Sequence, residues 1–140
     1  MSPIADEWSL KEYRPEGSPE RWFFRKNLMP KPSPGTDGYR HVAYLTLHFQ
    51  PRDDSGLPSA EDETTLFEIE ETDAVDFERH CQSVHVASVL KGGVKDMLFY
   101  IRDPQIFLEH VAEFRIRHAN FSVECEIIED PSWEHYADFP

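Results

Sequence analysis

The sequence predicts a two-layer α+β domain, an antiparallel sheet with two helices on one of its faces. Three observations carry that reading. Residues 41–50 alternate between Ala43, Leu45, Leu47 and Phe49 on one side and Val42, Tyr44, Thr46 and His48 on the other, the period of a strand. Residues 59–80 and 103–117 open on helix-start signals, a capping Ser59 and Asp103-Pro104, and carry apolar positions at roughly helical spacing. Between them, two strand-like runs meet at Gly92-Gly93, a hairpin signal.

At 140 residues the chain fits one domain, divided into an N-terminal hairpin (7–28), a core (41–129) and a C-terminal clamp (130–140). In the hairpin, Trp8, Leu10 and Tyr13 mark one strand and Trp22, Phe23 and Phe24 the next, joined by the turn-forming run Arg14-Pro15-Glu16-Gly17-Ser18-Pro19. Residues 30–38 hold three prolines and two glycines, so they form a loop outside any ladder. Ser59 caps the first helix with Asp62 three residues on, and Glu61, Asp62 and Glu63 suit its positive end. That helix runs to about residue 80 through Leu66, Phe67, Ile69, Ala74 and Phe77, with room for a break near Thr72-Asp73. A Val-rich strand over 83–90 turns at Lys91-Gly92-Gly93 and returns over 95–102. Asp103-Pro104 starts the second helix, whose stripe is Phe107, Leu108, Val111 and Phe114. The last strand, 121–129, puts Phe121, Val123, Cys125 and Ile127 on one face. From residue 41 the order is β-α-β-β-α-β, the ferredoxin-like (split βαβ) order. The hairpin extends that sheet or folds over its other face. A fold of this kind hosts many functions and names none.

Asp and Glu number 27 against 14 Lys and Arg, a net charge of −13. Such a chain repels phosphate backbones and anionic lipid, so neither nucleic acid nor membrane is an expected partner. The acidity serves solubility first and attraction to a basic protein surface second. No apolar stretch approaches the roughly 20 residues of a membrane helix. Residues 1–6 carry neither the basic region nor the apolar run of a signal peptide, and the expected location is cytoplasmic. Cys81 and Cys125 make no disulfide framework. Cys125 reads as a small core residue, and Cys81, at a helix exit, as inert or partly exposed.

The chemistry-bearing residues form no recognisable centre. His80, Cys81 and His85 lie close in sequence, but their spacing matches no zinc site, so no metal is assigned. There is no Gly-x-Ser-x-Gly, and seven histidines single out no triad. Gly92-Gly93 precedes a strand, not a helix, and so is no phosphate loop. Glu68, Glu70 and Glu71 read as a solvated helix face rather than paired acids and bases. No catalytic residue and no cofactor is assigned.

The sheet face turned away from the helices is the candidate for function. By alternation Tyr44, Thr46 and His48 point there, with Glu124 and Glu126 from the last strand and Leu98, Tyr100 and Arg102 from the strand over 95–102. His85 joins them from its neighbour. Tyr44, His48, His85, Tyr100, Arg102 and Glu124 would line a ligand groove or a partner surface. The simpler expectation is that the N-terminal hairpin, with Trp8, Trp22 and Phe24, covers this face as a second small core. Past it, Pro131 stops the last strand by lacking a donor. Trp133 and Tyr136, one helical turn apart, clamp the C-terminal residues to the body.

These residues together resemble the bacterial domain-of-unknown-function family 695. The likeness rests on Trp8, Gly56-Leu57-Pro58, Glu63 and Leu66, the Gly93 turn, Tyr100 and the ending Glu129-Asp130-Pro131-Ser132-Trp133-Glu134-His135-Tyr136. The spaced set Asp130, Pro131, Trp133 and Tyr136 is its most specific piece, and the likeness covers nearly the whole chain. It brings no activity and no catalytic residue. Members occur beside, or fused to, domains similar to the protein inhibitor of ribonuclease E, which implies by association a regulatory, protein-binding module. The expected function is therefore a non-enzymatic protein-interaction or regulatory domain that favours a basic partner. The alternative is a small-molecule-binding domain or minor enzyme using the outward face. A homodimer through a sheet edge or face is a third possibility.

Overall fold

The computed structural model describes residues 7–140. Along the chain come β1 (Trp8–Tyr13), β2 (Trp22–Asn27), β3 (His41–His48), α1 (Ala60–Glu68), a π turn (Ile69–Asp73), α2 (Ala74–Cys81), β4 (Ser83–Lys91), β5 (Val94–Ile101), α3 (Pro104–Arg117), β6 (Ser122–Glu129) and α4 (Glu134–Asp138). The six strands form one sheet in the order β1-β2-β4-β5-β3-β6, with every neighbouring pair antiparallel. The N-terminal hairpin extends the sheet through β2, which pairs with β4. It does not fold over the outer face.

Local chemistry accounts for the element ends. The Ser59 hydroxyl accepts from the Asp62 amide, and three acids fill the first turn of α1. The Asp103 carboxylate accepts from the amides of Gln105 and Ile106, with Pro104 in the first turn of α3. Gln82 takes the left-handed conformation (φ 49°) that closes α2. Gly56 (φ +80°) is required by packing as well as by backbone, because a Cβ there would lie 2.8 Å from the Gly92 amide nitrogen.

The irregularity in the first helical segment is the π turn, which contains the break expected near Thr72-Asp73. It buries Ile69, Glu70 and Asp73, and Ala74 follows them inside. Glu70 therefore is not on a solvated face. It is 8% exposed and accepts from the ammonium of Lys95, the guanidinium of Arg25 and the hydroxyl of Ser88. Asp73 accepts from Arg117 at 3.1 Å and meets His118 Nε2 at 2.9 Å, which ties the same turn to the end of α3. Phe67 and Leu108, expected in the helical stripes, are instead exposed.

The sheet carries a core on each face. On the helix side Ala43, Leu45 and Leu47 of β3 and Met97, Phe99 and Ile101 of β5 pack against Phe77, Phe107, Val111 and Phe114. On the outer side Val42, Val84, Val86, Ala87, Leu98 and Tyr100 pack beneath Trp133. Strand β4 bulges between His85 and Ala87. The extra residue lets Val86 and Ala87 both face outward while His85 and Ser88 face the helices.

Candidate functional site

The outer face is covered in part, and the cover is the segment after β6. Asp130 organises it. Its carboxylate accepts from the Tyr100 hydroxyl at 2.6 Å and from the amides of Glu134 and His135, both at 2.9 Å. Trp133 then stacks on Tyr100 with centroids 4.0 Å apart and planes at 8°, and its indole donates to the Tyr39 carbonyl. Tyr136 donates its hydroxyl to the Asn27 carbonyl on β2, and Phe139 sets its ring edge against Phe24. Lys26 and Lys11 complete the crossing by donating to the carbonyls of Phe139 and Pro140. The segment is a strap laid across β5, β4 and β2 toward β1.

Between strap and sheet lies a cleft of about 570 Å³. Its floor includes Tyr44, Leu98 and Val89, and Phe24 and Phe139 form one end. Asp96, Glu129, Asp130, Glu134 and Asp138 line it, against the single ammonium of Lys91, which lies over Trp22. The Tyr44 hydroxyl meets His135 Nδ1 at 2.7 Å, bridging floor and strap. Thr46 donates to Asp96 and so holds that carboxylate at the floor.

Three groups at the cleft are shifted away from neutrality. Burial raises the Tyr44 phenol above its ordinary range, and Asp96, Asp130 and Glu126 raise it further. Burial likewise holds the Tyr100 phenol far above neutrality, with the Asp130 bond adding to it. For Asp130 burial works upward, but the Tyr100 hydroxyl and the two strap amides outweigh it and keep the carboxyl below its usual value. All three groups hold one protonation state across neutral pH.

The expected site residues divide. Tyr44 and Asp130 line the cleft. Tyr100 is buried beneath Trp133. His48 and Glu124 pair at 3.3 Å at the exposed edge, away from the cleft lining. Arg102 lies just past β5, its guanidinium 5.2 Å over the Tyr39 ring. Pro131, Trp133 and Tyr136 belong to the strap. His85 does not join this face, because the bulge turns it toward the helices, where it stacks on Phe99 and tilts against Trp8. Asp96, Lys91, Glu134, His135 and Asp138 were not among the candidates. For the last three, an acidic run beside the Trp133–Tyr136 pair is the available signal.

His85 carries a pH prediction. Burial pushes its imidazole down to about 4, and the nearby Glu70 offsets only part of that. A depressed histidine contributes stability that is fully present above its unfolded value of about 6.5 and is lost as pH falls toward the folded value. Between pH 6.5 and 4 this group alone should cost the fold on the order of 3 kcal/mol. Urea titrations at several pH values should show that slope in the wild type. His85→Phe, which keeps a ring between Phe99 and Trp8, should flatten it.

Both thiols are poor nucleophiles, since burial pushes Cys81 and Cys125 up to about 11. Cys81 is buried rather than partly exposed. Among the described residues no group of three or more His, Cys, Asp or Glu is placed to hold a metal ion, and no helix is long and apolar enough to cross a membrane.

The arrangement defines a mixed α+β protein with a six-stranded antiparallel sheet and a strap across one of its faces. The chain belongs to the family described as Family of unknown function (DUF695), whose model matches residues 7–139. Comparison with curated proteins and with solved structures gives no match.

Proposed function

We propose that this chain is a non-enzymatic protein-interaction or regulatory module that receives a basic segment of a partner in the cleft under the strap. The observation that carries this reading is the cleft lining, five carboxylates against one ammonium beside aromatic and aliphatic walls. Such a surface steers a cationic segment and gives its aliphatic stems somewhere to pack. The clamped protonation states of Tyr44, Tyr100 and Asp130 support binding over acid–base chemistry. We read the framework as a split βαβ, ferredoxin-like core within a single domain. The order β-α-β-β-α-β from β3 to β6, arranged in space as β4-β5-β3-β6, supports that reading. A bacterial, cytoplasmic setting belongs to the same proposal. Strand β6 carries Glu124, Glu126 and Glu129 along an open edge, which opposes strand-to-strand self-association and favours the cleft as the contact surface.

The test is binding of a fluorescent Lys/Arg-rich peptide, followed by anisotropy, alongside capture of partners from the source cell's lysate at low and moderate salt. Glu134 and Asp138 are exposed, so Glu134→Gln with Asp138→Asn should leave the fold intact. The pair should weaken peptide binding by roughly tenfold. Equal binding by wild type and variant at both salt concentrations would sink the proposal. The second reading, a small cationic ligand, is favoured by the cleft's volume of about 570 Å³, which falls in the range small molecules use. It predicts that a short diamine competes the peptide off.

A further inference from the structure

Among the described residues the cations of this acidic chain are almost all engaged. Of its 14 Lys and Arg, seven pair with carboxylates and three donate to backbone carbonyls. Lys91 lies over Trp22. The remainder are Lys31, Arg79 and Arg102, and all three line one pocket of about 690 Å³. They come from three separate segments: the loop before β3, the end of α2 and the residue after β5. The only carboxylate in the lining is Glu78, which accepts from the His85 amide at 3.0 Å. The pocket thus carries three positive charges against one negative in a chain whose net charge is −13.

Arg102 is held in place. Its guanidinium lies over the Tyr39 ring, and Gly38 (φ +94°) leaves the room for it: a Cβ there would sit 2.5 Å from Nη1. A stacked guanidinium keeps its edge N–H groups free for an acceptor in the plane of the fork. Scattered surface cations need no ligand, and Arg79 by itself suits the negative end of α2. Three that converge on one concavity, one of them seated against a ring through a glycine gap, form a different arrangement.

We propose that this pocket is an anion site for a phosphorylated small molecule. A phosphate monoester carries about −1.5 to −2 at neutral pH, which matches the surplus charge of the lining. The net charge of −13 repels an anion in proportion to its charge, so it opposes a polyanion far more than a compact dianion. The site is separate from the acidic cleft and shares no lining residue with it.

Calorimetric titration of the whole chain with inorganic phosphate and with pyrophosphate at low chloride tests this. Saturable binding is expected, tighter for pyrophosphate. Arg102→Ala should weaken it by about tenfold, and Arg102→Lys, which keeps the charge and loses the fork, by less. Arg40→Ala removes a cation paired with Glu129 elsewhere and should change nothing. Circular dichroism checks that each variant is folded. Should Arg102→Ala fail to fold, Arg79→Ala, at an exposed helix position, gives the same comparison. Absence of saturable binding by either anion overturns the proposal, as does equal loss in Arg40→Ala and Arg102→Ala. Glu134→Gln with Asp138→Asn should leave phosphate binding intact, so failure of the cleft reading and failure of this one are told apart.

Discussion

Replacing Trp133 by alanine should lower the unfolding free energy by about 3–5 kcal/mol, the range for removing a fully buried tryptophan. Trp133 is 1% exposed and its indole covers Tyr100 face to face. Its loss strips the outer core of its largest member and frees the strap that Asp130 organises. The backbone at Trp133 is left-handed (φ 59°), which for a tryptophan costs on the order of 1 kcal/mol and shows how strongly the contacts hold it. Trp133→Phe keeps a stacked ring but loses the indole's second ring and the donation to the Tyr39 carbonyl, the bond alone costing about 1 kcal/mol, so it should fall between wild type and Trp133→Ala. Urea denaturation measures both. A Trp133→Ala midpoint equal to that of Trp133→Phe would mean the strap adds little to the fold. The variant should also lose affinity for a basic peptide, since Glu134, His135 and Asp138 leave with the strap.

Glu70→Ala should cost a similar 3–5 kcal/mol, for a different reason. Lys95 is 8% exposed and would keep an ammonium in the interior with no carboxylate beside it. Arg25 is less affected because its side chain reaches water. The damage therefore comes from the partner left behind rather than from the pair itself. Glu70→Leu combined with Lys95→Met should recover most of the stability or exceed the wild type, as apolar replacements of buried pairs often do. If the double variant is no better than Glu70→Ala, the loss lies in the π turn's geometry and not in Lys95. Acid follows the same logic. Burial pushes the Glu70 carboxyl upward, but Lys95, His85 and Arg25 outweigh it and hold it below its usual range. Its contribution is thus present above the ordinary Glu range and lost as pH falls through the lower folded value.

What the sequence made readable was local. The alternation of Leu45 and Leu47 with Tyr44 and Thr46, the cap at Ser59, the helix start at Asp103-Pro104, and the Gly92-Gly93 turn each depend on a few neighbouring residues. They match the observed strand β3, the starts of α1 and α3, and the β4–β5 turn. The facing of His85 was not readable, because a bulge is decided by how β4 pairs with β5. Nor was the burial of Glu70, whose partners Arg25 and Lys95 lie 45 and 25 positions away. The candidate cleft was half legible. Tyr44 follows from alternation and Asp130 from the ending, whereas Asp96, Glu134 and Asp138 converge only once the strap's route across the sheet is known. The hairpin and the strap compete for the same outer face, and pairing with β4 takes the hairpin out of that contest.

The strap joins Lys11 to Pro140 across 129 positions, so it spans almost the entire described chain. A contact that distant can form only after the strands beneath it are in place, because its closure entropy has no earlier return. Docking of residues 130–140 should therefore be a late event in folding, and loss of Trp133 should appear mainly as faster unfolding with refolding little changed. The surface that shapes the cleft would then be the first part of the molecule to loosen, so access to the floor of the sheet would follow the strap's own opening rate rather than the lifetime of the native state.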